Sequence, residues 1–199
     1  MNKIKENVDD YRQQLQSYLL RLDPSTPINE LSELVEQFSI DKFSKKQMIL
    51  QAGDYSDTVY FVFDGLVRIY YVKEDKEITN WFIKENMMFA ATYSILTGQP
   101  NYSNYETLED TYVLKLKYSV LESYYEKYHS LEHIGRKLIE AYYGAFMKKT
   151  FDVLFLSAEE RYQIFAKDNT DLLNRVPLKH IASYLGITQE TLSRLRAKY

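Results

Sequence analysis

Three side chains near the end of the sequence have types and a spacing that suit hydrogen bonding to base edges. Gln189, Glu190 and Arg194 lie in the stretch ITQETLSRL. An amide can pair with adenine, a guanidinium can make two hydrogen bonds to guanine, and a carboxylate can accept one from cytosine. Neighbouring side chains such as Ser193 and Arg196 suit contacts to phosphates, which position a protein without specifying sequence. The full set of candidate DNA-binding residues is Lys179, Thr188, Gln189, Glu190, Ser193, Arg194, Arg196 and Lys198.

The charge of this C-terminal stretch is opposite in sign to that of the whole chain. The 199 residues carry a formal net charge of -3. From Arg175 to Tyr199, by contrast, five basic residues stand against a single acidic one, Glu190. A basic end supplies local attraction to nucleic acid, and an acidic remainder limits indiscriminate binding. The distribution therefore favours a localised DNA-binding surface.

The elements that must position these side chains are two short helices joined by a tight turn. Pro177 can open the first helix, Gly186 supplies the turn, and Thr188 can cap the second helix. Residues suited to burial recur at helical spacing on one face of each helix. They are Ile181, Ala182, Leu185, Ile187, Thr191, Leu192 and Leu195. The pattern predicts a helix-turn-helix whose second helix enters the major groove. A helical hairpin with a solvated basic face is the alternative.

Between about Gln47 and Lys117 the hydrophobic pattern indicates strands. Aromatic and β-branched residues crowd into short runs, and turn signals separate the runs. Asp64-Gly65 is the strongest hairpin signal, because the turn needs positive φ angles that Asp-Gly adopts at low cost. Glu74-Asp75 is a further turn candidate. The runs are QMILQAG, TVYFVFDGLVRIYYV, EITNWFIK, YSNYETLE and TYVLKLK. Together they predict an antiparallel roll or barrel.

Helical spacing is found on both sides of this strand-rich region. Val8 to Leu22 and Ile28 to Phe38 are amphipathic, and the helical period returns from about Tyr118. One seam in the later region runs through Leu131, Ile134, Leu138, Ala141 and Ala145. It is compatible with a coiled-coil partner helix or with packing on the chain's own sheet, and the pattern alone does not separate the two.

A capping box divides the helical region that follows. Ser157 can cap a new helix, and Glu160 can reach back to the capping residue. One helix should therefore end near Leu156, and the next should run to Asp168-Asn169.

Composition and motifs disfavour several classes of protein. The chain has no cysteine, which excludes disulfides and thiolate metal sites and fits a reducing compartment. It shows neither a signal-peptide pattern nor a run near the roughly 20 apolar residues of a membrane span, so a cytoplasmic protein is expected. His129 and His133 lie four apart without an evident third metal ligand. We found no catalytic or cofactor-binding motif, and we therefore expect neither an enzyme nor a metal or cofactor site.

Three stretches of the sequence resemble the Crp/Fnr family of bacterial transcription regulators. They are ITQETLSRL, SAEERY from Ser157 to Tyr162, and FDGLVRIY from Phe63 to Tyr70. The resemblance covers nearly the whole chain. It implies an α+β fold with an N-terminal antiparallel β-roll like a cyclic-nucleotide-binding jelly roll, flanking helices, a long dimerisation helix and a C-terminal helix-turn-helix domain. The corresponding bounds are 1–129, 130–156 and 157–199.

The resemblance also implies partners. Such a chain would form a homodimer along the long helix and bind a near-palindromic site in duplex DNA under control of an effector, with RNA polymerase as a further candidate partner. In the family's R-E-T-x-x-R pattern, Gln189 replaces the first arginine, whereas Glu190, Thr191 and Arg194 match. The family's usual half-site sequence is therefore not carried over. The sequence ends soon after Arg196, which leaves little room for a C-terminal wing.

The residues that hold a cyclic nucleotide in some relatives do not match this sequence. Those relatives resemble one another in a Gly-Glu pair for the ribose and an Arg-Ser or Arg-Thr pair for the phosphate. The aligned positions here are Ala90-Ala91 and Asn101 or Tyr102 followed by Ser103. Burying a phosphate with no cation to pair costs several kcal/mol. We therefore expect that cAMP is not bound in the family's usual way.

Another small-molecule effector is left open, and its identity is unknown. Aromatic residues, Tyr105 among them, could line a pocket for a planar ligand, or they could fill the space themselves. The candidate pocket residues are Ala90, Ala91, Tyr93, Tyr102, Ser103, Tyr142, Tyr143, Phe146 and Met147. The leading hypothesis is a homodimeric DNA-binding regulator. Its alternative is a ligand-sensing or protein-interaction module whose DNA-binding end is vestigial.

Overall fold

Two antiparallel sheets form the centre of the structure, a computed structural model that describes residues 8–198. Its strands are β1 (Ser39–Phe43), β2 (Met48–Leu50), β3 (Thr58–Asp64), β4 (Val67–Lys73), β5 (Lys76–Ile83), β6 (Met87–Ala90), β7 (Asn104–Thr107) and β8 (Thr111–Lys117). One sheet has the order β1-β8-β3-β6, and the other has the order β2-β7-β4-β5. The expected antiparallel roll is thereby confirmed. Residues 1–7 and Tyr199, which the expected bounds 1–129 and 157–199 include, lie outside the described residues.

The two sheets face each other across a core built by strand alternation. Successive residues of a strand point to opposite faces, so that Val62 of β3 and Val67 of β4 both point between the sheets and are fully buried. Phe89, Tyr105 and Val113 complete the same cluster. The roll is therefore filled by apolar and aromatic side chains.

The predicted hairpin at Asp64-Gly65 is wrong, because β3 and β4 lie in different sheets and are not paired with each other. Of the two turn residues only Gly65 has a positive φ, whereas the two-residue hairpin turn needs both, so the chain turns here from one sheet into the other. β3 ends at Asp64, and Gly65 has a φ of 119°. A Cβ at Gly65 would lie 2.6 Å from the Cα of Thr111, so the close approach of β8 also requires glycine there. The turn predicted at Glu74-Asp75 is confirmed, because both residues have positive φ, 50° and 61°, between the paired strands β4 and β5.

Helices cover the outer face of the first sheet. They are α1 (Val8–Leu22), α2 (Ile28–Glu36) and α4 (Tyr118–Lys127), whereas α3 (Thr92–Thr97) follows β6. Leu15, Leu31 and Phe61 are fully buried in the cluster that joins these helices to the sheet. The two N-terminal helices were predicted correctly, except that the second ends at Glu36 rather than Phe38.

The long helix α5 (His129–Phe155) has 27 residues, about 40 Å of helix. Its first turns pack on the roll, because Leu131 and Ile134 are buried in the cluster shared with α1 and α4. A partner-helix seam that begins at Leu131 is therefore wrong, and the packing alternative holds at that end. Within residues 8–198, no helix combines the length and apolar character needed to cross a bilayer.

The C-terminal part is a small group of helices with its own core. They are α6 (Ala158–Asp168), α7 (Leu172–Arg175), α8 (Leu178–Leu185) and α9 (Gln189–Lys198). The capping box is confirmed: the Ser157 N–H donates to Glu160 Oε2 at 2.8 Å, and the Glu160 N–H donates to Ser157 Oγ at 3.3 Å. Phe82 of the roll shares this core with Phe165 and Ile181, so the C-terminal helices are packed directly on the sheet.

Four elements were not predicted from the sequence: β1, β6, α3 and α7. The sequence of β6, MMFA, lacks β-branched residues, and its strand conformation is supported by pairing with β3. Tertiary context therefore decides these short segments.

Candidate DNA-binding surface and roll interior

The helix-turn-helix of α8 and α9 is held by local hydrogen bonds at its turn. Gly186 is left-handed, with a φ of 66°, and the Ile187 N–H donates to the Ala182 carbonyl at 3.0 Å. Thr188 Oγ1 accepts from the Thr191 N–H at 3.2 Å, as predicted for a helix cap. Leu192 is fully buried. The turn, the cap and the inner face therefore follow the sequence pattern.

The polar edge of this motif faces solvent. Gln189, Glu190 and Arg194 lie along one side of α9, and Leu192 lies on its buried side. All eight residues predicted to contact DNA are exposed: Lys179, Thr188, Gln189, Glu190, Ser193, Arg194, Arg196 and Lys198. These eight side chains are therefore accessible to a partner.

Three side chains of this edge form hydrogen bonds or ion pairs within the protein. A hydrogen bond to its own backbone N–H and one from the Thr188 hydroxyl lower the pKa of Glu190, so the carboxylate remains an acceptor. Lys198 forms an ion pair with Glu159 at 2.6 Å, and Arg194 Nη2 donates to Thr191 Oγ1 at 3.3 Å. These exposed contacts are weak enough to be exchanged for contacts to DNA.

Arg175 is one of the five basic residues counted in the C-terminal stretch. Its side chain binds residues of the roll within the protein. Its guanidinium pairs with Glu85 at 2.6 Å and also with Glu109, and it donates to the Gly65 carbonyl at 3.2 Å. Hydrogen bonding to Glu85 raises the pKa of Arg175. Its charge therefore fixes α7 to the roll and contributes less to any attraction of DNA than the sequence suggests.

The first helix of the motif lies on the second sheet. Ser183 Oγ accepts from the Thr79 N–H and donates to the Glu77 carbonyl, each at 2.9 Å. Beside it, the ring of Tyr184 packs 5.4 Å from the ring centroids of both Phe82 and Phe165. One serine thus forms hydrogen bonds with two backbone groups of β5, and the aromatic contacts pack α8 against β5 and α6.

A buried arginine lies beneath α8 and was not predicted. Strand alternation points Arg68 outward, and α8 covers it, so that it is 1% exposed. Its Nη1 pairs with Glu77 at 2.6 Å, its Nε donates to Thr79 Oγ1 at 2.9 Å, and its guanidinium carbon lies 4.2 Å from the ring centroid of Tyr70. The only sequence signal is an isolated arginine in an apolar strand.

His180 is buried beside Arg68. Its side chain is only 7% exposed, so it does not reach toward solvent or a phosphate, although it stands in the first helix of a proposed DNA-binding motif. Burial, and then the charge of Arg68, lower the pKa of His180 to about 4. The imidazole is therefore neutral near pH 7 and belongs to the packing of α8 on the sheet.

Aromatic rings occupy the interior of the roll next to Ala90. Phe89 stacks between Tyr60 and Tyr105, with ring centroids 4.8 and 5.9 Å away. The buried hydroxyl of Tyr105 donates to the Ala90 carbonyl at 3.1 Å, and burial raises the pKa of this tyrosine. Packed aromatic side chains therefore lie beside the position at which a ribose-binding glutamate would be aligned.

The candidate effector residues are distributed over different environments. Tyr93 and Tyr102 are exposed and share a hydrogen bond between hydroxyls at 3.1 Å. Tyr142 joins α5 to β6, because its hydroxyl accepts from the Met88 N–H at 2.8 Å and donates to the Met88 carbonyl at 2.7 Å. Ala91 and Ser103 are buried, Ala90 is half-buried, and Tyr143, Phe146 and Met147 are exposed on α5.

An exposed apolar stripe runs along α5. It was not recognised from the sequence as a surface for a partner helix. We define it by its side chains, which are between 47% and 70% exposed: Ile139, Tyr143, Phe146, Met147, Phe151, Val153, Leu154 and Phe155. The signal was present, because Ile139, Tyr143 and Phe146 have the four-three spacing of a coiled-coil seam. Tyr143, Phe146 and Met147 had instead been assigned to an effector pocket.

The two histidines considered as metal ligands have other neighbours. His133 Nε2 lies 3.4 Å from Asp23 Oδ2, and His129 Nδ1 lies 3.3 Å from Glu132 Oε2. Within residues 8–198, no group of three or more His, Cys, Asp or Glu side chains is arranged to hold a metal ion.

Comparison with known proteins identifies relatives with a similar sequence and fold. Residues 40–128 match the family described as cyclic nucleotide-binding domain. The chain is 20% identical over 185 residues to the anaerobic regulatory protein of Haemophilus influenzae, covering 86% of this chain and 70% of that protein. It is 22% identical over 185 residues to the fumarate and nitrate reduction regulatory protein of Vibrio cholerae, covering 86% and 72%.

Among solved structures, FixK2 from Bradyrhizobium japonicum superposes with a TM-score of 0.69 at 23% identity, covering 81% of this chain and 83% of that chain. The antiparallel sheets and helices of this chain therefore have the same overall fold as that structure. Residues 40–128 thus resemble cyclic nucleotide-binding domains, and the resemblance of the whole chain to the Crp/Fnr family is confirmed.

Proposed function

We propose that the chain is a DNA-binding transcription regulator of the Crp/Fnr type. The observation that carries the proposal is the edge of α9, where Gln189, Glu190 and Arg194 are exposed together while Leu192 anchors the helix. Helices presented in this way read the major groove with the residues of their N-terminal turns. The regulatory names of the two curated relatives support the same function.

We also propose that the regulator is a homodimer paired along the exposed apolar stripe of α5. A soluble monomer rarely leaves so much contiguous apolar surface exposed. A second copy related by twofold symmetry would cover the stripe with the same residues. Two recognition helices would then reach successive major grooves about 34 Å apart on a near-palindromic site. In this proposal residues 1–129 form the effector domain, 130–156 the dimerisation helix and 157–199 the DNA-binding domain. RNA polymerase is a candidate partner.

The proposed regulator does not respond to cAMP. Ala90 and Ala91 offer no carboxylate for a ribose, and the hydroxyl of Tyr105 already bonds the Ala90 carbonyl. Calorimetry with cAMP and cGMP should therefore show no heat of binding at ligand concentrations up to about 1 mM, where even weak sites fill. Micromolar affinity for either nucleotide would contradict this part of the proposal.

The central experiment is a selection of duplexes from a random pool, followed by affinity measurements with Arg194→Ala. Loss of a bidentate guanine contact should weaken binding to the selected duplex by about 1–3 kcal/mol, or about 5- to 150-fold. The variant should also accept other bases at that position, since the discriminating donors are gone.

Arg196→Ala is the matched control, because Arg196 is exposed on the same helix and is proposed to contact phosphate. It should weaken binding to selected and unrelated duplexes by similar factors. If the wild-type chain enriches no sequence from the pool, the DNA-reading proposal is wrong, and a ligand-sensing or protein-interaction module becomes the better description.

A further inference from the structure

A cavity lies where the roll, the long helix and the C-terminal helices meet. Its volume is about 250 Å³. Trp81 and Met87 line it from the roll, Lys149 from α5, and Phe165 and Tyr184 from α6 and α8. This cavity is distinct from the interior of the roll, which is filled by the stack of Tyr60, Phe89 and Tyr105.

Lys149 provides a cation at this cavity without a carboxylate partner. Its Nζ lies 4.1 Å from the ring centroid of Tyr184 and 5.5 Å from that of Trp81, and it donates to the Asn80 carbonyl. No ion pair joins it to an acidic side chain in the part of the chain that the structure describes. An ammonium group has three donors, so one carbonyl leaves two of them for a ligand.

The other charged groups around the cavity are compensated or face elsewhere. Lys84 pairs with Asp171 and Lys148 pairs with Asp152, each within 2.8 Å, and Arg161 donates to the Leu156 and Leu185 carbonyls. Asp168, the remaining acidic group of the lining, is exposed at the end of α6. Burial lowers the pKa of Lys149 to about 8 and raises that of Tyr184 to about 12. Lys149 is thus the ammonium group of the lining that has no carboxylate partner among the described residues.

We propose that the junction cavity is a binding site for a small organic carboxylate with a single-ring body. Its rings and methylene groups suit an apolar or planar body, and its volume lies below the roughly 300–1,000 Å³ of drug-sized pockets. One ammonium group matches a singly charged anion, whereas a phosphate dianion would keep an unpaired buried charge. The ring would lie against Trp81 and Phe165, with the carboxylate accepting from Lys149.

Such a ligand would touch all three parts of the molecule at once. It would favour whichever arrangement of roll and C-terminal helices closes the cavity around it, because a ligand shifts an equilibrium by its differential affinity for the two states. This regulatory consequence rests on the proposed DNA-binding function, but the binding itself does not. The test below uses no DNA. A negative result would therefore contradict ligand binding at the cavity and leave the proposed DNA-binding function untouched.

Trp81 reports on the cavity directly, because it is the single tryptophan of the chain. The full-length protein is titrated with benzoate, benzamide and benzylamine, which share a ring and differ in charge. Benzoate should change the Trp81 fluorescence with a dissociation constant of about 1 mM or below. Benzamide should bind about tenfold more weakly, and benzylamine more weakly still, because neither supplies the anion.

The variant Lys149→Met keeps the length of the side chain and removes the ammonium. Lys167→Met is the control, because Lys167 is exposed on α6 and does not line the cavity. Benzoate should bind Lys149→Met about tenfold more weakly and Lys167→Met as it binds the wild type. Binding to the wild type should also weaken by about tenfold from pH 7 to pH 9, as Lys149 loses its proton. Equal affinity for benzoate and benzamide at both pH values, or no benzoate binding at all, would overturn the proposal.

Discussion

At the scale of single residues, the cluster under α8 shows how burial sets protonation. His180 lies close to Arg68 and Lys179, with Glu77 as the nearby acidic group. Protonating the imidazole would place a second buried cation beside Arg68, which already depends on Glu77. The folded protein therefore holds His180 in its neutral form, at a pKa of about 4 instead of about 6.5.

This shift predicts that the free energy of unfolding falls on acidification between pH 6.5 and pH 5. In that window the unfolded chain binds a proton at His180 and the folded protein does not. The free energy of unfolding should therefore decrease by at most about 1.4 kcal/mol per pH unit. Urea denaturation at pH 7, 6 and 5 measures the slope above the range in which most carboxylates titrate.

Two variants with glutamine in place of histidine test whether His180 causes this pH dependence. His180→Gln should flatten it, because glutamine does not titrate and can keep a polar contact. His129→Gln should leave it unchanged, since that imidazole is 91% exposed. An equal slope in the wild type and His180→Gln would show that another group causes the loss of stability.

At the scale of elements, Ser183 carries the docking of α8 on β5. In Ser183→Ala, the N–H of the buried residue Thr79 and the carbonyl of the more exposed residue Glu77 both lose their partner. The variant should lose about 1–2 kcal/mol of unfolding free energy. Amide exchange should accelerate most at Thr79, because opening of the junction exposes that group.

Ser193→Ala is the control for this prediction. Ser193 is exposed on α9, so its loss should change the unfolding free energy by less than about 0.5 kcal/mol. If both variants have the stability of the wild type, the serine bridge does not hold the two parts together.

The elements that the sequence predicted well are those whose signals are local. The turn at Glu74-Asp75, the capping box at Ser157 and Glu160, and the turn at Gly186 each depend on residues within a few positions. The exposure of Gln189 and Arg194 followed from the same periodicity, because Leu192 had to face inward.

What could not be predicted depends on contacts between distant segments. Nothing near Arg68 in sequence indicates that α8, more than 100 positions later, will cover it. The predicted partner surface of α5 was wrong for a related reason. Apolar residues occur on several faces of this helix, and only the fold shows that Leu131 packs on the roll while Phe146 does not. The junction cavity, which needs three separate segments, left no local pattern.

At the scale of the whole molecule, the C-terminal helices are tied to the roll by charge as well as by packing. Arg175 bridges Glu85 and Glu109, and Lys84 pairs with Asp171. The same helices continue directly from α5, whose apolar stripe is exposed. Pairing of two copies along α5 would therefore set the distance between the two recognition helices, and any ligand at the junction would act on that distance.

The role of the α5 stripe can be tested with a charge inside it. Phe146→Glu should give a monomer in sedimentation at concentrations where the wild type is a dimer, because a buried carboxylate opposes pairing. Phe146 is 51% exposed, so the fold of each chain should be retained. Tyr55→Glu, which alters a similarly exposed residue in the loop between β2 and β3, should remain a dimer.

Loss of pairing should also change how DNA binding depends on salt. If Lys179, Arg196 and Lys198 of each copy contact phosphates, a dimer should give a slope of log affinity against log salt of about -5, and a monomer about -3. Fluorescence anisotropy measures the two slopes on the selected duplex. The salt concentration is varied from about 50 to about 200 mM, a range that includes the physiological ionic strength. A Phe146→Glu slope equal to that of the wild type would mean that each chain binds DNA alone, and the stripe would then need another partner.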